Sequence, residues 1–303
     1  DMVIRDWSSD VCSSDLDWAA FKHLVAVPTG LDGTLIATLR RECAVRNQAF
    51  GLVMGYPGFH SWEGHVEGGI QTLSYLYYDD RTILDERVGE MQVRERLRRA
   101  LEYLYADRFD RAHGLIWGAT TVDWGDVQPE HPWGVELDES SHRAIDVYDN
   151  AMLLIAIDDY LELTAEDPSE VKRWRKAHRE LRAQVRRHLW DAKQQQFVPH
   201  IYLEGSPFPA DFDEASIYYH GGTAVAIEAG LLSKSEIEKA LARMRDNVRR
   251  AGASSIGLTV YPPYPDGLFK NPGMKAWSYQ NGGDWCWFGG RMIQQLIRHG
   301  MIE

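Results

Sequence analysis

Two kinds of helix alternate along this chain, and that alternation limits its fold more than any other feature. One kind is apolar on nearly every side. Residues 146–163, "DVYDNAMLLIAIDDYLEL", are the clearest case, and residues 68–78, 221–232 and 287–297 read alike. The other kind is amphipathic and heavily charged. In residues 171–189 the apolar positions Val171, Trp174, Leu181, Val185 and Leu189 recur by threes and fours, and Arg, Lys and Glu fill most of the rest. Residues 88–104 and 237–248 repeat that style. A helix apolar all round is buried, whereas one with a single apolar stripe lies on the surface. The sequence therefore predicts hairpins, each pairing an inner helix with an outer one. Ser233 followed by Glu236 predicts a capping box, and Pro168 suits the first turn of its helix.

Short β-like pairs recur between the hairpins: "FGLVMGYPG" near Gly51, "HGLIWGATT" near Gly114, "QFVPHIYLEG" near Val198 and "IGLTVYPPYP" near Gly257. A repeat of this length with two helices per unit predicts an all-α chain, an (α/α)6-type toroid of helical hairpins with short β-like loops at the cleft end. The alternative is an ordinary helical bundle with long loops. Six closed units of about 60 residues need about 360 residues, and this chain has 303, so the toroid is expected to be incomplete.

Residues 5–16, "RDWSSDVCSSDL", read as the translation of a sequencing-library adapter. Residues 1–16 are thus expected to be a non-native leader and residues 17–303 a partial catalytic domain. The native N-terminus would then be missing, which leaves the compartment open, with the cytoplasm slightly favoured.

A net charge of −12 argues against nucleic acid as a partner, because phosphate binding needs clustered Lys and Arg. No apolar run is long enough to cross a membrane. Cys12, Cys43 and Cys286 form no Cys-x-x-Cys pair, so neither a thiolate metal site nor a disulfide framework is expected. Oligomeric state is not readable.

The loops carry the chemistry. Of 11 tryptophans, Trp62, Trp117, Trp124, Trp133, Trp277, Trp285 and Trp287 lie in or beside connecting segments. Indole faces pack on the C–H faces of sugar rings, while carboxylates and amides take the hydroxyls. In "YPGFHSWEGHVEGG", Glu63 and Glu67 are flanked by His60 and His65, but the spacing matches no common metal-ligand set, so no metal and no cofactor are expected. In "LIWGATTVDWGDVQPE", Asp123 and Asp126 bracket Trp124 and Gly125. An acid beside an aromatic in a dry cleft has its pKa raised, as a general acid for a glycosidic oxygen requires. The plainer reading is a turn in which Asp126 bonds its own backbone. In "RAIDVYDN", Asp146 and Asp149 fall in the first turn of the most apolar helix; capping accounts for one of them, and Asn150 is placed to face the cleft. "ADFDEASIYYHGG" gathers Glu214 and His220, and "KAWSYQNGGDWCWFGG" sets Tyr279, Gln280, Asn281 and Asp284 among tryptophans. Nucleophile-elbow and phosphate-loop signatures are absent.

These loops resemble the six-hairpin α/α-toroid glycosidases, a group of trehalases, processing α-glucosidases, glycogen-debranching glucosidases and related disaccharide phosphorylases. "Trp117…Asp123-Trp124-Gly125-Asp126" followed by residues 145–151, "IDVYDNA", is similar to the group's general-acid loop and the inner helix after it. "WSYQNGGDW", residues 277–285, is similar to its Tyr-x-Asn-Gly-x-x-Trp sugar-contact segment. The resemblance implies an inverting glycoside hydrolase acting on an α-glucoside or similar oligosaccharide, with Asp123 or Asp126 as the acid and no cofactor. It implies sugar contacts from Trp62, Glu63, Trp117, Trp124, Asp149, Asn150, His220, Tyr279, Gln280, Asn281 and Trp285. In two branches of the group the base is a Glu well downstream of the Tyr-x-Asn-Gly segment, so it is expected to lie beyond residue 303, which would leave this piece inactive. Asp284 and Glu214 are the fallbacks within the chain. The alternatives are a toroid sugar phosphorylase, an epimerase working through His220 or His200, or a non-catalytic carbohydrate-binding toroid.

Overall fold

The computed structural model describes residues 84–85, 87–88, 91–132 and 137–301, without the side chains of Val88, Cys286 and Trp287. The leader, the repeat near Gly51, Trp62, Glu63 and Trp133 lie outside the described residues. The chain divides into two compact units. One takes in 1–107 and 159–171, the other 108–158 and 172–303.

In the first unit, strands β1 (Arg87–Val88) and β2 (Met91–Gln92) pair antiparallel ahead of helix α1 (Val93–Asp107). Val93, Leu97, Ala100, Leu101 and Leu104 of α1 are buried, and its other face is laced by Arg98 with Glu95 and Glu102, at 2.7 and 2.9 Å. The unit also holds the turn between α2 (Val147–Leu163) and α3 (Pro168–His188). Pro168 opens α3, and the cap before it is Asp167, whose Oδ1 accepts the amides of Ser169 at 2.9 Å and Glu170 at 3.2 Å. Proline fits there because the first amides of a helix have no intrahelical partner.

The second unit holds short strands between helices. They are β3 (Phe109–Asp110), β4 (Leu115–Ile116), β5 (Gly118–Ala119), β6 (Arg143–Ile145), β7 (Trp190–Asp191), β8 (Gln196–Phe197), β9 (Ile201–Tyr202), β10 (Tyr218–Tyr219) and β11 (Val260–Tyr261). They pair antiparallel as β3-β4, β5-β6-β9, β7-β8 and β10-β11. The chain is thus helix-rich with small antiparallel sheets. Every β-like pair read from the sequence within the described residues supplies strands to them.

The two kinds of helix follow their sequences. Helix α2 is buried on nearly all sides, and α4 (His220–Glu228) is buried from His220 to Ile227. Helix α3 buries only Trp174, Leu181 and Val185, and α5 (Lys234–Ala251) buries Ile237, Ala240, Met244 and Asn247. The capping box forms: Glu236 Oε2 accepts the Ser233 amide at 2.8 Å and its hydroxyl at 2.9 Å. Ser233→Ala should lower stability by about 1 kcal/mol, read as a shift in the urea midpoint with an unchanged slope.

Helix α6 (Cys286–Arg298) departs from expectation. It is not buried all round: Ile293 and Ile297 are 51% and 59% exposed while Phe288 and Met292 are buried. No helix among the described residues is long and apolar enough to cross a membrane.

The long loops are not loose. Val122, Val127, Phe208, Ile217, Tyr219, Val260, Tyr264, Phe269 and Met274 form a buried cluster drawn almost wholly from connecting segments. Each fully buried large apolar side chain contributes about 1.5–3 kcal/mol, enough to hold irregular backbone in one arrangement.

Candidate active site

Residues 121–128 turn sharply. The Gly125 amide donates to the Val122 carbonyl at 3.0 Å, and Asp123 takes a left-handed φ of 53°. A non-glycine residue there costs backbone strain, so the surroundings must hold it. What holds it is the N-terminus of α4. The Gly222 amide donates to both oxygens of Asp123, at 2.7 and 2.9 Å. A Cβ at Gly221 would lie 2.7 Å from Asp123 Oδ2, and one at Gly222 would lie 2.7 Å from Oδ1 and from Val147 Cγ1. The "HGG" that opens α4 is therefore glycine because the carboxyl group sits where side chains would be.

Asp126 is held from a segment more than 150 residues away. The Tyr279 hydroxyl donates to its two oxygens at 3.1 and 3.0 Å, and Gln280 Nε2 donates to Oδ1. The same Gln280 accepts the Asp126 amide on its Oε1 at 3.2 Å. A Cβ at Gly125 would come 2.8 Å from that Oε1.

Burial raises both acids above the ordinary carboxylate range, Asp123 to about 8 and Asp126 to about 6. Asp146 adds to the rise at Asp123, and the amides of Gly221 and Gly222 oppose it. Asp146 caps α2 by accepting the Asp149 amide at 2.8 Å. Burial and the neighbouring Asp146 push Asp149 well up.

Aromatic rings gather around the acid loop, and one of them, Tyr279, touches Asp126. Trp124 meets Trp285 edge-on at 5.1 Å and Phe288 at 5.2 Å, and Tyr279 meets Trp285 at 5.4 Å. Trp124, Tyr279 and Trp285 are half-buried, and Trp285 Nε1 donates to the Tyr279 carbonyl at 2.8 Å. Beyond them Trp277 is 50% exposed and held at a φ of 68°.

Several candidates sit elsewhere than expected. Asn150 does not face a cleft; it is fully buried and spent on backbone. Its Oδ1 accepts the Ile116 amide at 2.9 Å, and its Nδ2 donates to the carbonyls of Ile116 at 3.0 Å and Asp146 at 2.8 Å. Asn281 likewise clamps Tyr264, accepting its amide at 2.7 Å and donating to its carbonyl at 2.9 Å. His220 lies buried between α4 and α5, its Nε2 facing the Asn247 amide nitrogen at 3.0 Å; burial drives its pKa down to about 3, so the ring is neutral. Trp117 has the guanidinium groups of Arg108 and Arg143 over its ring, at 4.7 and 5.0 Å, in the place expected for sugar.

Asp284 is exposed and closes the turn after α5. It accepts the amides of Ser254 at 3.0 Å and Ser255 at 2.8 Å, and the Ser255 hydroxyl. Glu214 accepts His200 Nδ1 at 2.8 Å, the Tyr202 hydroxyl at 2.8 Å and the Tyr264 hydroxyl at 2.6 Å. His200, Tyr202 and Tyr264 carry no motif that marks them; only the fold brings them to Glu214. Among the described residues no group of three His, Cys, Asp or Glu side chains is placed to hold a metal ion.

The Asn150 clamp is testable. Asn150→Ala would leave the buried Ile116 amide without its acceptor. Stability should fall by about 2 kcal/mol in urea denaturation; a loss within a few tenths would mean that Asn150 does not carry β4 on α2.

No protein-family model matches the chain, and no curated protein matches it. Solved structures do. A GH63 mannosylglycerate hydrolase from Thermus thermophilus, in complex with Tris and D-glycerate, aligns at 16% identity over 73% of this chain and 63% of its own, with a TM-score of 0.46. The same enzyme with Tris aligns at 16% identity over 78% and 64%, with a TM-score of 0.48. A GH78 rhamnosidase of Bacillus sp. GL1 aligns at 14% identity over 86% and 26%, with a TM-score of 0.36. The chain spans less than two thirds of the length of each.

Proposed function

We propose that this chain belongs to an α/α-toroid glycoside hydrolase that cleaves an α-glucoside or similar oligosaccharide with inversion, and that Asp126 is its general acid. One observation carries the reading. A carboxyl raised to about 6 is gripped by Tyr279 and Gln280, and the Tyr279 ring packs on Trp285, which in turn meets Trp124, so half-buried aromatic faces adjoin the clamp. A general acid works best with a pKa near the working pH, and a sugar needs aromatic faces to lie on.

Asp126 is preferred to Asp123 on geometry. Both Asp123 oxygens are pressed against the first turn of α4 and accept the Gly222 amide. Among the described residues, the only side-chain donor to Asp126 Oδ2 is the Tyr279 hydroxyl. A protonated Oδ2 would donate to the glycosidic oxygen as the bond to the anomeric carbon breaks, and water would attack that carbon from the opposite face. Asp284 and Glu214 make poor candidates for the carboxylate that activates this water, since each is already held by several donors.

The test is product analysis. Incubation with α-linked gluco-oligosaccharides should release sugar without added phosphate, and the first-formed anomer should be β. Phosphate-dependent release would make the enzyme a phosphorylase, and a first-formed α anomer would overturn inversion.

A further inference from the structure

Glu214 sits at a junction that the proposed reaction does not use. Three elements bring donors to its carboxylate: His200 from the turn before β9, Tyr202 from β9 itself, and Tyr264 from the loop after β11. The His200 side chain is 1% exposed and that of Glu214 14%, so the pair is shielded from water. Asn281 clamps the Tyr264 backbone, and its neighbour Gln280 grips Asp126.

We propose that Glu214 and His200 form a buried ion pair that positions the acid Asp126, acting on its clamp through Tyr264 and Asn281. His200 Nδ1 lies 2.8 Å from a Glu214 oxygen, with both side chains shielded from water, the geometry of a protonated ring on a carboxylate. The titratable groups facing the ring are Glu214, held in its charged form, and Asp146 and Asp123, both pushed toward their neutral forms; the phenols beside it are Tyr202 and Tyr219. Burial pulls the His200 pKa down, but the carboxylates outweigh it and the pKa stands above the ordinary value. Glu214 is correspondingly held low, with His200 the main cause opposing burial. The two shifts agree in sign. Breaking such a pair is costly because it strands one buried charge.

This deepens the glycosidase reading and rests on it for the role of the acid. The test therefore has one arm that needs no turnover. Long-range proton–nitrogen NMR on the full chain at pH 6.5 should show His200 mainly as the doubly protonated ring in the wild type. In Glu214→Gln the ring should be neutral. A neutral ring in the wild type overturns the proposal, even if the variant fails to fold.

The second arm uses an α-linked glucose disaccharide, whose leaving alcohol needs the proton of the acid. Glu214→Gln should lower kcat by about tenfold to a hundredfold, the scale of a small misplacement of reacting groups, with KM little changed and no rescue by azide. Azide rescue would make Glu214 the base and overturn the positioning role. If the wild type turns over no glycoside, the imidazole measurement alone decides the ion pair.

Discussion

Replacing Asp126 by Asn is expected to lower kcat on an α-linked disaccharide by about 10²–10⁴-fold, the usual contribution of a positioned general acid. Asparagine keeps the size of the side chain and an acceptor for Tyr279, so the turn should survive. What goes is the transferable proton. A dinitrophenyl leaving group departs without protonation, so the loss on such a glycoside should be much smaller than on the disaccharide. The sign of the pH effect follows from the raised pKa of about 6. The active form is the protonated one, so wild-type kcat should fall as pH rises through about 6, and the variant should lose that limb. Stability has the same sign. The folded carboxyl holds its proton to higher pH than the unfolded one, so Asp126 contributes a loss of stability as pH rises toward 6. If Asp126→Asn keeps kcat within tenfold while a folded Asp123→Asn loses it, the acid is Asp123.

The parts of this fold that were legible in the sequence are those written in local pattern. The all-round apolarity of residues 147–163 and the three-and-four spacing of Trp174, Leu181 and Val185 each follow from one helix meeting one environment. Ser233 and Glu236 sit within one turn and could be read as a pair. The acid loop and the Tyr-Gln-Asn segment stood out because Asp, Trp and amide residues crowd there. Their division of labour did not. Asn150 and Asn281 look like sugar ligands on paper, yet each is spent on backbone of another loop. A side-chain amide serves either purpose, and only the fold says which backbone comes within reach. Ile293 and Ile297 misled for a related reason, since apolar composition records what a helix could bury and not what covers it. His200 lies in an ordinary "VPHIYL" turn, and its charge depends on Glu214, fourteen residues on, being folded against it.

The other large effect is expected at Gly222, a residue that carries no chemistry. Gly222→Ala places a methyl 2.7 Å from Asp123 Oδ1 and 2.7 Å from Val147 Cγ1. Neither contact is tolerable, and neither neighbour is free to move. Asp123 is fixed by its turn at a φ of 53°, and Val147 is the first residue of the buried helix α2. The expected cost is about 3 kcal/mol, at the upper end for overpacking, because the clash also stretches the bond from the Gly222 amide. Asp123→Ala alone should cost about 1–3 kcal/mol, since it leaves that buried amide without an acceptor at the start of α4. The double variant tells the two causes apart. With the carboxyl gone, the new methyl has room on that side, and its cost should fall. The pair should then be more stable than the sum of the single losses by about 1 kcal/mol or more, measured by urea denaturation of all four chains. Strict additivity would mean that the clash with Val147 dominates and that the glycine serves helix packing rather than Asp123. A coupling of the expected sign would tie the glycine pair of α4 directly to the acid loop. The double glycine of "HGG" would then belong to the site as fully as the aspartates, although it touches no substrate.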